Sequence, residues 1–159
     1  MSKFRRVVFG ANPRRTTVRI AVLAAISIVT FKWILMPVRA DGDSMLPTYY
    51  SGNLTLVNRM AYLHSQPERG DVVAIRLAGP RVVYIKRVIG LPGERIAVVD
   101  GDVLINGSPL VEPYVRHARA WNFEEITLDR GEYFVIGDNR GTSDFGRVEA
   151  DRIIGRLLF

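Results

Sequence analysis

Two segments of the sequence carry residues whose types and spacing allow covalent chemistry. The first is Asp41-Gly42-Asp43-Ser44-Met45-Leu46-Pro47-Thr48, where a serine follows a glycine-containing turn and a proline stiffens the exit. The second runs from Val82 to Gly90, a strand-like apolar stretch with Lys86 at its middle. A serine hydroxyl is a weak nucleophile until a base takes its proton. A lysine amine acts as that base only when neutral, and its reference pKa is about 10.4. Strand alternation sets Tyr84, Lys86 and Val88 on one face and Val83, Ile85 and Arg87 on the other. Lys86 therefore shares a face with apolar neighbours, and burial there disfavours the ammonium form. Arginine is effectively always protonated. A chain that has lysine only at positions 3, 32 and 86 has it here. Taken singly, each residue has an ordinary reading: Ser44 as a turn or cap serine, Lys86 as a packed stem with its head in water. His64 and His117 raise a serine–histidine–aspartate arrangement. His64, however, sits in the polar run His-Ser-Gln-Pro-Glu-Arg, and His117 lies among Arg116, Ala118 and Arg119, so neither is expected to be catalytic.

The elements that must position these residues are short. Strands are expected near Leu54–Asn58, Asp71–Arg76, Val82–Ile89, Arg95–Val99, Val103–Ile105, Glu132–Ile136 and Ile153–Leu158, each β-rich and bounded by Gly, Pro, Asn or Asp. Asp100-Gly101 is a strong hairpin signal because both turn positions tolerate positive φ, and Asn106-Gly107 is a second. No long segment after residue 40 holds a helical period. The expected fold class is mainly β: a compact antiparallel sheet domain over residues 38–159, preceded by one N-terminal transmembrane helix within residues 1–37.

That N-terminal segment is apolar from Ile20 to Phe31 and continues through Lys32 and Trp33 to Met36 before Pro37. Its length approaches the roughly 17–25 residues of a spanning helix. Lys32 can snorkel and Trp33 suits the interface. Of the net charge of +6, much precedes this run, at Lys3, Arg5, Arg6, Arg14, Arg15 and Arg19. Charge concentrated beside an apolar segment fits a topology signal better than a nucleic-acid surface. It places the N-terminus in the cytoplasm and the following domain outside, on the inner or plasma membrane. A cleavable signal peptide ending at Val38-Arg39-Ala40 and a buried core helix are the rival readings, and Arg14-Arg15 followed by Thr16-Thr17 is a weak twin-arginine signal. With no cysteine, a disulfide framework, a thiolate metal site and a cysteine nucleophile are excluded.

Taken together, these residues resemble bacterial type I signal peptidases. Gly42 to Thr48 is similar to the family's nucleophile box, G-x-S-M-x-P-T. Arg69-Gly70-Asp71-Val72-Val73 is similar to the next box, and Tyr84 to Glu94 to the general-base box. Gly137-Asp138-Asn139-Arg140 is similar to the start of the last box. The boxes come in the family's order, and the resemblance covers Asp41 to Phe159. It implies a β-rich membrane-bound serine endopeptidase that removes signal peptides from exported precursors, with no cofactor or metal. Its partners would be precursor proteins and the lipid bilayer, not nucleic acid. By motif, Ser44 is the nucleophile and Lys86 the base. Ser143 would orient Lys86, Asp144 would support it, and Tyr84, Ile85 and Met45 would line the substrate cleft. Pockets for small side chains imply cleavage after Ala-x-Ala. Two departures stand out. Gly42 occupies a position where some members have a serine hydroxyl as second oxyanion donor, which leaves that donor unassigned. The last box also runs Gly141-Thr142-Ser143-Asp144-Phe145-Gly146-Arg147; with a short deletion, Asp144 takes the family aspartate's place and Phe145-Gly146 meets the aromatic-glycine segment.

Other functions remain to be weighed. A self-cleaving repressor-type serine–lysine protease would share the dyad but lacks a reason for the apolar anchor. A catalytically inactive, membrane-tethered binding module would not need both Ser44 and Lys86. A specialised peptidase for pilin or conjugation substrates would differ only in what it cuts.

Overall fold

The computed structural model describes residues 13–78, 82–116 and 119–158. His117 lies outside them, as do Lys3, Arg5 and Arg6. The chain divides into two units, Met1–Met36 and Pro37–Phe159.

In the first unit, α1 spans Pro13–Val29. Proline suits a first turn, where its missing N–H has no partner to lose. The helix widens into a π-helical turn over Thr30–Ile34, with the Leu35 N–H donating to the Thr30 carbonyl five residues back. Arg14–Ile34 is a helical stretch of 21 residues with mean hydropathy 1.7, none of it buried. At about 1.5 Å per residue it is long enough to cross a hydrocarbon core of roughly 30 Å. The sequence-based span of Ile20 to Met36 is thus displaced: the helix takes in Arg14, Arg15 and Arg19, while Leu35 and Met36 are extended. A residue before proline is driven out of the α region, which accounts for Met36 ahead of Pro37.

In the second unit the strands are β1 (Leu35–Arg39, which begins at the unit boundary), β2 (Leu54–Asn58), β3 (Val72–Ala78), β4 (Val82–Gly90), β5 (Arg95–Val99), β6 (Asp102–Ile105), β7 (Ser108–Pro109), β8 (Phe123–Thr127), β9 (Glu132–Ile136), β10 (Phe145–Glu149) and β11 (Ile153–Leu158). They form a seven-stranded sheet, β1-β2-β11-β3-β4-β9-β10, and a four-stranded sheet, β7-β6-β5-β8. Asp100 and Gly101 (φ 51° and 95°) turn β5 into β6, and Asn106 and Gly107 (φ 52° and 82°) turn β6 into β7. This is the double positive φ that those residue pairs accommodate.

The centre of the large sheet is buried on both faces. One face of β4 and β9 sends Ile89, Phe134 and Ile136 into a cluster with Ile96, Val98, Val103 and Leu128. The other sends Val88, Tyr133 and Val135 against Val73, Ile75 and Val148. Lys86 belongs by alternation to the Val88 face, so the general-base candidate rises from an apolar wall. β3 pairs with β4 from Val82 to Arg87, whereas β9 joins β4 at Arg87, Val88 and Gly90. The first half of β4 is therefore flanked by β3 and by the clefts described next.

Candidate active site

Ser44 sits half-buried in the connection between β1 and β2. Gly42 takes φ 82°, a left-handed conformation natural to glycine. The Leu46 N–H donates to the Asp43 carbonyl at 3.2 Å and the Tyr49 N–H to the Met45 carbonyl at 3.0 Å, which winds the chain after Ser44 into tight turns. The loop is then fastened to the segment after β9. Asn139 donates its N–H to the Ser44 carbonyl at 3.0 Å and its side-chain amide to the Asp43 carbonyl at 3.1 Å. Thr48 donates to the Asp138 carboxylate. Gly42 does not offer a free amide, since its N–H donates to Ser51 Oγ at 3.2 Å.

Lys86 is 7% exposed. Its amine donates to Ser143 Oγ at 3.0 Å. Ser143 Oγ also accepts from the Gly137 N–H at 2.7 Å and donates to the Asp144 carbonyl at 2.8 Å, so the hydroxyl's own proton is committed and its oxygen faces Lys86 as an acceptor. Burial pulls the Lys86 pKa below that of a free lysine, and the Asp144 carboxylate partly opposes this. The neutral amine is thereby favoured relative to a free lysine, and its hydrogen-bond direction is set by Ser143.

Arg87, next to Lys86, points to the opposite face and holds Asp138 in a two-pronged pair, Nε to Oδ1 at 2.8 Å and Nη2 to Oδ2 at 2.5 Å. Asp138 is fully buried. The pair knots together three stretches distant in sequence: the Ser44 loop through Thr48, β4 through Arg87, and the segment after β9. Removing one partner of such a pair strands the other's charge away from water. Asp138→Ala is expected to cost about 3–5 kcal/mol of stability, read as a lowered denaturant midpoint.

Two clefts meet at Tyr84. One, of about 240 Å³, is lined by Arg39, Ala40, Asp41, Gly42, Ser44, Met45, Tyr49, Val83, Tyr84 and Ile85. The other, of about 220 Å³, is lined by Ile75, Tyr84, Lys86, Val135, Asp144, Gly146, Arg147 and Val148. Ser44 and Lys86 thus line adjoining clefts that share Tyr84.

The family model for signal peptidase, peptidase S26, matches residues 14–159. The chain belongs to the signal peptidase family. Signal peptidase I T of Bacillus subtilis (strain 168) is 34% identical over 155 residues, 88% of this chain and 79% of that protein. Signal peptidase I of Leptolyngbya laminosa is 36% identical, over 89% of this chain and 75% of that one. Signal peptidase IB of Staphylococcus aureus (strain N315) is 30% identical, over 89% and 85%. The solved structure of a signal peptidase I from Enterococcus faecalis V583 superposes with a TM-score of 0.50 at 31% identity, covering 59% of this chain and 98% of that one. The chain is accordingly a serine endopeptidase of the signal peptidase family. Its membership and its unburied apolar helix together point to membrane anchoring.

Gly42, Met45, Tyr84 and Ile85 share the Ser44 cleft, with Met45 buried beneath it. Ser143 contacts Lys86 directly, while Asp144 acts on it through its charge. His64 is exposed in a bend. Among the described residues, no group of three or more His, Asp or Glu is placed to hold a metal ion. The sequence reading gave no role to Gly137. A Cβ on it would stand 2.1 Å from the Ser44 carbonyl oxygen and 2.5 Å from Ser143 Oγ. Its only signal in the sequence was its place at the head of the last motif.

Proposed function

We propose that this signal peptidase cuts by a serine–lysine dyad, with Ser44 attacking the scissile carbonyl and Lys86 taking its proton. As a member of its family, the chain removes signal peptides from exported precursor proteins. The observation that carries the dyad is the Lys86 amine: buried on an apolar wall, lowered in pKa, and hydrogen-bonded to Ser143 at 3.0 Å. Lys86 then gives the proton to the leaving amine and activates the water that hydrolyses the Ser44 acyl-enzyme. The Ser44 N–H contributes to holding the oxyanion.

The substrate lies extended along the first half of β4, where β3 occupies only one side, and presents its side chains to the cleft of Ser44, Met45, Tyr84 and Ile85. That small cleft suits alanine at the first and third positions before the cut. The domain boundary falls near residue 37. α1 and the turn after it anchor the chain in a single pass, and Arg14, Arg15 and Arg19 hold the N-terminus on the cytoplasmic side, so that the catalytic domain is extracytoplasmic. The test is cleavage of a precursor with an Ala-x-Ala site in detergent, against the same precursor with leucine at the residue before the cut. Cleavage of the first, and at least roughly tenfold slower cleavage of the second, is expected from the misfit of a larger side chain. Equal rates for both would contradict the assigned cleft.

A further inference from the structure

The segment between β7 and β8 touches neither Ser44 nor Lys86 in any contact described above, yet it meets Arg140 and Arg87, which lie beside them in the site. Glu112 and Arg140 form a closely buried ion pair, Nη2 to Oε1 at 2.5 Å, with side chains 9% and 2% exposed. The same Glu112 oxygen accepts from the Tyr114 hydroxyl at 2.7 Å. Arg140 Nε donates to the Gly137 carbonyl at 3.2 Å, and the Gly137 N–H donates to the Ser143 hydroxyl that meets Lys86. Tyr114 also covers Arg87, whose guanidinium carbon stands 4.0 Å from the ring centroid. A cation over an aromatic face is attracted to it, more strongly where water is excluded.

From these contacts we propose that Glu112 and Tyr114 are positioning residues for the Ser44–Lys86 chemistry. Glu112 acts through Arg140 and Gly137 to hold Ser143 at the Lys86 amine, and Tyr114 fixes Glu112 from one end and Arg87 from the other. The inference rests on the dyad reading and extends it to a segment outside the four motifs. The physical requirement is alignment. A lysine acts as base only when its lone pair faces the serine proton, and a hydroxyl acceptor at fixed position selects that rotamer. Arg140 has five N–H groups and no acceptor. Without the Glu112 carboxylate its buried charge must seek another partner, and the Gly137 carbonyl moves with it.

The test uses the full-length protein in detergent on an Ala-x-Ala precursor, with Glu112→Gln and the milder Tyr114→Phe, which keeps the ring over Arg87. Glu112→Gln is expected to lower kcat about tenfold and Tyr114→Phe about threefold, each with KM within about twofold. Glu112→Gln should displace the acid limb of the pH–kcat profile in the same direction as Ser143→Ala does. In the Ser143→Ala background it should have little further effect, because the two act through one contact. An unchanged kcat in both variants, or losses that simply multiply with that of Ser143→Ala, would overturn the proposal. If Glu112→Gln does not fold, Tyr114→Phe decides by the same two criteria. An effect of Ser143→Ala with none from either variant removes the positioning role alone. If Ser143→Ala itself leaves kcat and the acid limb unmoved, Ser143 does not orient Lys86 and the positioning role falls, whereas failure of the dyad itself would show as cleavage surviving in Lys86→Arg or Ser44→Ala.

Discussion

Replacing Lys86 by methionine is expected to lower cleavage by about 10²–10⁴-fold, the contribution of a positioned general base, while leaving the protein at least as stable as before. The two effects have one cause. The amine stands on the wall formed by Ile75, Val135 and Val148, where a thioether of similar length packs without an ammonium ion to desolvate. The pH dependence gives the sign. The Lys86 pKa in the folded state lies below the 10.5 of a free lysine, so between those two values the unfolded chain binds the more protons. Stability therefore rises with pH across that window, and below it the cost of the buried ammonium is present in full. Lys86→Met should remove this component of the slope in denaturant titrations at several pH values. Activity in the parent should rise over the same range as the amine loses its proton.

Gly137→Ala is the second large effect. The glycine has no need of a left-handed conformation; it is required because two groups press on its α-carbon. A methyl placed 2.1 Å from the Ser44 carbonyl oxygen and 2.5 Å from Ser143 Oγ must push the Ser44 loop and the Lys86 partner apart. Neither neighbour can yield cheaply. The carbonyl is backbone and accepts the Asn139 N–H, and the hydroxyl is held from three sides. Overpacking of this kind costs about 1–3 kcal/mol, and a displacement near 1 Å at a reacting group costs on the order of 10²-fold in rate. Measured well below the melting temperature, Gly137→Ala should therefore lose far more activity than folded protein. A variant that folds and cleaves normally would show that Ser44 and Ser143 need not share this glycine.

How much of this was legible in the sequence follows from the range of the forces involved. Asp100-Gly101 and Asn106-Gly107 announced their hairpins because the signal is local to two residues. The exposure of Lys86 to an apolar wall followed from strand period alone. β8 was missed because Phe123-Glu124-Glu125-Ile126-Thr127 lies at the edge of the small sheet and shows mostly exposed residues. β1 was absorbed into the apolar run before it, and β10 was read as part of a motif. At the site, the partnership of Arg87 with Asp138 and that of Arg140 with Glu112 join residues 51 and 28 positions apart. No periodicity encodes such pairs: the sheet order brings β4 beside β9 and so Arg87 to Asp138, while Glu112 reaches Arg140 from the segment between β7 and β8 of the other sheet. The resemblance to a family supplied Ser143 and Asp144, but not the knot that holds their loop against Ser44.

The proposed mechanism requires Ser44 and Lys86 to perform the cleavage together. Its most direct measurement is the cleavage of an Ala-x-Ala precursor in detergent by the parent protein, Ser44→Ala and Lys86→Arg. Product is expected from the parent and none above the uncatalysed level from either variant, since alanine has no nucleophile and arginine keeps the charge but cannot act as a base. Cleavage that survives in Lys86→Arg would contradict the assignment of the base, and cleavage that survives in Ser44→Ala would contradict the mechanism as a whole.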